Sequence, residues 1–309
     1  MPPTQVDRQF DPAGDCRGGE PVVGSGFYCI GRRVLSPFFY VTGLELIPVK
    51  PAILLVAFGT SADARPIYNQ ILEQVKEAFP GHVAEIVYSS DYMRQKAQES
   101  GDEKAALSVS ERLRQFAQMP GFSAAVVQSL HVVSGSEFHK MRRDAAGSGV
   151  PHRVGLPLLC SPDDVEAVAR ILTALQPDVP ASEAVLYLGH GTRHPSWAMY
   201  FALLHHIREL AGNRHFMAMI EHGRRTPAAM AAQIKAAGYT AVHMVPLTLI
   251  AGRHFRVDVS GDGPDSWKSV FEASGLSISF FPKRIGAFHG IGQIFVRHIS
   301  DALQGLNNR

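Results

Sequence analysis

Cysteine is scarce in this chain: three in 309 residues (Cys16, Cys29 and Cys160), none paired at metal-binding spacing. A disulfide framework and a cysteine-held zinc site are thereby set aside. A reducing, cytoplasmic setting is the simplest expectation, with export as the alternative. Charge of one sign is lacking too. Lys and Arg number 30 against 28 Asp and Glu, a net +2 with histidines neutral. Nucleic-acid binders usually carry a basic block or face, so no nucleic-acid partner is expected. No uninterrupted apolar run is long enough to span a bilayer, and no membrane partner is expected either. Several common machines leave no trace. There is no G-x-x-x-x-G-K-[ST] phosphate loop, no G-x-S-x-G elbow and no H-E-x-x-H, and "GHGTRH" fails G-x-G-x-x-G at its last position. A phosphosugar-binding protein is disfavoured on the same grounds.

What remains is a well-filled globular chain. Apolar residues make up 46% of it, enough for a full core, and its length suits roughly two domains. The first 48 residues differ from the rest. "MPPTQVDRQFDPAGDCRGGEPVVGSG" is rich in Gly and Pro without periodicity, and "FYCIGRRVLSPFFYVTG" is apolar but interrupted by Arg32, Arg33 and Pro37. A secretory signal would place its charges first and follow them with an unbroken apolar core. Residues 1–48 therefore read as a poorly ordered extension, a processed segment or a mis-assigned start. The division that follows is an N-terminal lobe over 49–178 and a C-terminal lobe over 179–309.

From Pro51 onward short apolar runs alternate with amphipathic stretches such as "ARPIYNQILEQVKEAF" and "TPAAMAAQIKAAG". Strands are expected at 52–58, 83–88, 124–128 and 152–156, then at 184–188, 215–220, 241–247 and 276–281. Near-continuous apolar strands separated by helices imply parallel sheets covered on both faces, an α/β fold of two roughly four-stranded halves. The halves resemble one another. "ILLVAFGTS" (53–61) parallels "AVLYLGHGT" (184–192), setting Phe58 opposite His190, and "AAVVQSLHVVSGSEF" (124–138) parallels "AVHMVPLTLIAGRHF" (241–255), setting Glu137 opposite His254. Duplication would bring the Gly-bearing turns to the carboxyl ends of corresponding strands, where open parallel sheets bind their ligands.

Three strand ends of the second half carry His190, Glu221 and His254. Each alone is an ordinary strand terminus; together they form a donor set. Two imidazoles and a carboxylate suit Co(II), Fe(II), Ni(II) or Zn(II), and three ligands leave coordination positions open. The same groups can accept protons. Loose metal holding combined with proton uptake is what metal insertion into a tetrapyrrole demands, since the ring must lose two pyrrole protons. The glycines around His190 are expected to let such a flat ligand close on the backbone. Cations flank these positions: Arg193, His194, Arg224, Arg225, Arg253, Arg256 and Lys268. Around one cleft they would suit a polycarboxylate, because guanidinium forks match carboxylates. Other polar residues keep plain readings. His205 and His206 are neighbours on a helix, and Asp258, Asp262 and Asp265 look like turn residues.

These segments, taken in order, resemble the anaerobic cobalt chelatases of the CbiK type, relatives of class II chelatases and ferrochelatase. The likeness runs from about Pro51 to the C-terminus and rests on "LLVAFGTS", "QSLHVVSGSEF", "VGLPLL", "GHGTRH", the Glu221 strand end, "HMVPLTLIAGRHF" and "DSWK". It implies two Rossmann-like lobes with the active-site cleft between them. It implies Co(II) insertion into sirohydrochlorin for cobalamin synthesis, by a lyase-type sirohydrochlorin cobaltochelatase. His190, Glu221 and His254 would hold the metal, His190 and Glu221 would be catalytic, and Arg193, His194, Arg253 and Arg256 would contact substrate. Pro195 and "EHGRR" depart from the family pattern and leave substrate contacts and metal preference open. Some members are exported, form homo-oligomers and carry haem. His131 in "QSLHVV" is the residue for a haem role here, set against a buried strand-end histidine. The alternatives are an Fe(II) chelatase serving sirohaem or haem synthesis and a non-catalytic haem- or metal-binding protein.

Overall fold

The computed structural model describes residues 50–60, 65–175, 179–223, 225–250, 252 and 254–307. Ahead of them it describes only the backbone of five short strands. Of these, β1 (Val22–Gly24), β2 (Phe27–Ile30) and β3 (Arg33–Leu35) form one antiparallel sheet, and β4 (Phe39–Thr42) and β5 (Glu45–Pro48) form another. Most of the 1–48 segment lies outside the described residues.

Each expected strand is present to within about one residue. The first sheet joins β6 (Ala52–Ala57), β7 (Ala84–Tyr88), β8 (Ala125–Ser129) and β9 (His152–Gly155) in the order β7-β6-β8-β9. The second joins β10 (Ala184–Gly189), β11 (His215–Met219), β12 (Ala241–Leu247) and β13 (Ser277–Phe280) in the order β11-β10-β12-β13. All pairings within both sheets are parallel. The two halves thus share one strand order, so their likeness extends from sequence to topology.

Period-two alternation explains why the strands read as unbroken apolar runs. Ile53, Leu55 and Ala57 of β6 enter one core, while Ala52, Leu54 and Val56 enter another on the opposite face. In β10, Val185 and Tyr187 share the first core, and Ala184, Leu186 and Leu188 join a third. The shared core unites the inner faces of both sheets through the helices Arg65–Ala78, Pro162–Ala174, Ala198–Ala211 and His289–Asn307. The last of these returns to the first half. Its Arg297 and His298 both reach Asp164, and the His298 Nδ1 bonds to the Leu156 carbonyl at 2.9 Å. Asp164 also accepts from the Ser161 amide in a capping box. Burial works against its charge, but the hydrogen bonds from His298 and Ser161 and the neighbouring positive charges outweigh that and hold its pKa at about 2.

Two enclosed histidines give the fold an acid-sensitive side. Burial lowers the pKa of His131 to about 4, and burial, aided by Arg214, does the same to His215. Unfolded histidine titrates near 6.5, so between about pH 6.5 and pH 4 the unfolded chain binds protons that the folded one refuses. Stability is expected to be full above this window and to fall within it, by at most on the order of 3 kcal/mol per ring and by less for His131, which is partly exposed in a cleft. Urea melts at pH 7 and pH 4.5 check this. An unchanged midpoint would show that these rings stay accessible to protons.

Candidate metal centre and cleft

The strand order decides which chain ends meet. In the second sheet β10 lies between β11 and β12, and Gly189 is in register with Met219 on one side and Leu247 on the other. His190 therefore leaves the sheet between the segments bearing Glu221 and His254. The Glu221 amide donates to the His190 carbonyl at 2.8 Å, extending the ladder past the strand ends and tying the two donors together. The imidazole and carboxylate atoms of His190, Glu221 and His254 all come within 4.8 Å of one another. His190 Nδ1 is 3.9 Å from Glu221 Oε2, and His254 Nε2 is 3.5 Å from Glu221 Oε1. The two rings stand edge to face with centroids 5.1 Å apart. All three side chains are between one third and one half exposed, so an ion held there would keep open positions.

The glycines around His190 serve a different purpose from the one expected. A Cβ at Gly189 would meet the Tyr200 ring at 2.6 Å, and one at Gly191 would lie 1.8 Å from the Glu221 carbonyl oxygen. Gly191 also has φ +93°, a conformation side chains rarely adopt. They let the protein close on itself. The next turn is equally tight: His222 has φ +54°, so the chain reverses directly after Glu221.

His254 opens a short π-helical turn, Phe255–Val259, a local form that recurs at functional sites. This turn brings Asp258 back onto it, with Oδ2 2.6 Å from His254 Nδ1. Asp258 is thus more than a turn residue. By accepting a hydrogen bond from Nδ1–H it fixes the tautomer and points the free Nε2 toward Glu221, the usual support of a metal-binding histidine. The i,i+4 spacing in "HFRVD" was the signal for it. Asp258→Asn is expected to keep the fold, since the side chain is about half exposed, and to weaken Co(II) binding by about 10- to 100-fold. Calorimetric titration with Co(II) measures this, and unaltered affinity would reduce Asp258 to a surface partner.

The three donors lie on the wall of a cleft of about 1100 Å³ bounded by both halves. Apolar residues form much of its surface: Phe58, Tyr92, Met93, Leu130 and Leu249 among them. Phe58 and Tyr92 are large and well exposed, which is costly for a wall that meets only water. Arg193 and Arg256 line the cleft as expected. Arg224 and Arg253 lie outside the described residues. His194 does not line the cleft. Its Nδ1 accepts from the Ser196 amide, capping the turn Pro195–Trp197, and its ring rests 4.7 Å from that of His139. Lys268 is engaged by Asp262 at 2.7 Å, and His205 and His206 face Glu209 on their own helix.

His131 does line the cleft, but both ring nitrogens are taken up: Nδ1 by Ser129 at 2.8 Å and Nε2 by Ser89 at 3.4 Å. Haem ligation would have to break one of these bonds. Ser89 also donates to Glu137 at 3.2 Å, and Glu137, the counterpart of His254 in the repeat, lines the cleft from the first half. The repeat sets Glu137 opposite His254 without giving it a role, since an isolated Glu in a helical first turn also suits the helix dipole.

The family model for cobalt chelatase (CbiK) matches residues 51–304. A sirohydrochlorin cobaltochelatase, CbiKC, from Nitratidesulfovibrio vulgaris is 31% identical over 268 residues, covering 84% of this chain and 93% of that protein. The sirohydrochlorin cobaltochelatase of Salmonella typhimurium is 28% identical over 268 residues, covering 82% of this chain and 97% of that one. Among solved structures, SirB from Bacillus subtilis with Fe3+ superposes with a TM-score of 0.55 at 15% identity, covering 84% of this chain and 98% of that one. The sirohydrochlorin chelatase SirB from Bacillus subtilis subspecies spizizenii in complex with cobalt gives 0.52 at 12% identity, with the same coverage. At such identities these two establish the fold alone.

Proposed function

This chain belongs to the cobalt chelatase (CbiK) family, and from that premise we propose that it inserts Co(II) into sirohydrochlorin, with His190, Glu221 and His254 as metal donors. The observation that carries the reading is the open His–Glu–His cluster on the wall of a two-sided cleft. In a tetrahedral site with ligands about 2.1 Å from the ion, donor atoms lie roughly 3.4 Å apart. The 3.5 and 3.9 Å separations run to different oxygens of Glu221, and with one atom from each residue the three donors lie within 4.8 Å of one another, so the side chains must draw together to reach that.

Insertion exchanges two ring N–H protons for one divalent ion. As ring nitrogens replace protein ligands on the ion, each released imidazole or carboxylate regains a lone pair. His190 and Glu221 thereby change from metal donors to proton acceptors within the same step. His254 is held in one tautomer by Asp258 and serves chiefly as a donor. A flat macrocycle would stack its faces on the apolar walls, Phe58 and Tyr92 included. Its carboxylates would meet Arg193 and Arg256 at the rim.

Fe(II), Ni(II) and Zn(II) suit the same donors. The test is anaerobic incubation of the protein with sirohydrochlorin and Co(II), following loss of the metal-free absorption against a no-enzyme control. Multiple turnovers are expected, and repetition with the other ions ranks them. Stoichiometric binding without turnover would replace the enzyme with a carrier. Among the described residues no helix is long and apolar enough to cross a membrane.

A further inference from the structure

The cleft has a second arm, far along the chain from the metal donors. It is built by the start of the helix Arg65–Ala78, the end of β7 and the helices Asp91–Glu99 and Glu103–Ala106. Tyr88, Tyr92, Lys96 and Asp102 line it together with Arg65. Arg65 is the residue to explain. Its Nη1 is 2.7 Å from Asp102 Oδ2, and its charge acts on the Tyr88 side chain beside it. Asp102 is itself fixed, because its Oδ1 accepts from the Ala105 amide as a helix cap. The guanidinium is therefore held in one orientation before any ligand arrives.

That arrangement leaves a polar demand unmet. Among the described residues Arg65 Nε is enclosed without a hydrogen-bond partner, although about a third of the side chain faces outward. Thr60 Oγ1, on a residue only 7% exposed in the same lining, is enclosed and unpartnered as well. Buried donors are rarely left so, because each costs the desolvation it never recovers. A carboxylate brought by a ligand, entering as these side chains shift, would offer each of them an acceptor. Lys96 adds charge nearby; its Nζ is 2.8 Å from Glu99 and about half exposed, so it attracts at a distance instead of clamping.

We infer that Arg65, with Thr60, forms a carboxylate-binding subsite that reads the acidic side chains on one edge of the macrocycle. Arg193 and Arg256 read the edge nearer the metal donors. This rests on the proposed substrate, a ring bearing carboxylates around its whole periphery. Cations on a single wall would leave half of these unread. The subsite makes the first half of the chain the part that separates a polycarboxylate ring from one with few acidic groups. A fork-shaped donor is required, so lysine cannot replace arginine.

The experiment compares wild type with Arg65→Gln and Arg65→Lys, using Co(II) with sirohydrochlorin and with the dicarboxylate mesoporphyrin. Equilibrium binding of each metal-free ring is followed by fluorescence quenching. For Arg65→Gln the sirohydrochlorin KM and Kd are expected to rise by about 10- to 100-fold, with kcat and the KM for Co(II) unchanged and the mesoporphyrin Kd moved by less than about twofold. Arg65→Lys should recover little. Unchanged sirohydrochlorin binding in Arg65→Gln overturns the inference while wild-type turnover keeps the proposed function. Equal losses for both rings also overturn it, since they mark a structural role. If wild type binds sirohydrochlorin without turnover, the chelatase reading fails, and the Kd comparison still decides the subsite.

Discussion

His190→Ala is expected to abolish Co(II) insertion, with turnover falling by at least about a thousandfold, while the protein remains folded. The argument has two parts. His190 lies between the other two donors because β10 lies between β11 and β12, so its loss removes the group that completes the set. In the proposed mechanism it is also one of the bases that take up ring protons, and a positioned base alone contributes roughly 10²- to 10⁴-fold. The fold should survive because the side chain is about half exposed and the backbone bond from Glu221 to the His190 carbonyl does not involve the ring. His254→Ala should behave alike through loss of Nε2. Anaerobic turnover and a thermal melt on each variant make the measurement. Near-normal turnover in both would remove the site.

Gly191→Ala is expected to damage stability and the site together, costing roughly 4 kcal/mol. An alanine there must adopt φ +93° and place its Cβ 1.8 Å from the Glu221 carbonyl oxygen. The obstacle is backbone and cannot rotate aside. The strain can be relieved only by displacing the segment that carries Glu221, a metal donor. Gly238→Ala is the control, with φ +90° and nothing within 4 Å of its added Cβ; it should cost only about 1 kcal/mol. Denaturant melts give both values, and a Co(II) titration on Gly191→Ala should show weakened binding. Equal costs for the two variants would mean that the close approach at Gly191 is not a constraint.

Much of this protein is legible in its sequence because the signals are local. A strand buried on both faces must be apolar at every position, so "AILLVA" and "AVLYLG" announce themselves, and their spacing by helical segments permits only parallel pairing. His190 and Glu221 follow such runs directly, which is why they could be named from the chain alone. His254 lies seven residues beyond β12 and was found through the repeat. Arg65 was not found, and Glu137 was matched to His254 by the repeat but given no role. A single Arg or Glu near a helix start has an ordinary local explanation, and nothing local says that it faces a cleft.

The glycines beside His190 show the same limit from the other side. Their presence marked a crowded place, yet only the structure reveals that Tyr200 and the Glu221 carbonyl do the crowding. The sequence by itself determined the strands, the donor types and the edge of the sheet on which they lie. The tertiary structure decided that β10 runs between β11 and β12, that a π-helical turn folds Asp258 onto His254, and that two similar halves wall one cleft. The physical reason is separation along the chain. Periodicity and burial are set by neighbours a few residues away, whereas the meeting of three donors depends on backbone ladders between strands tens of residues apart.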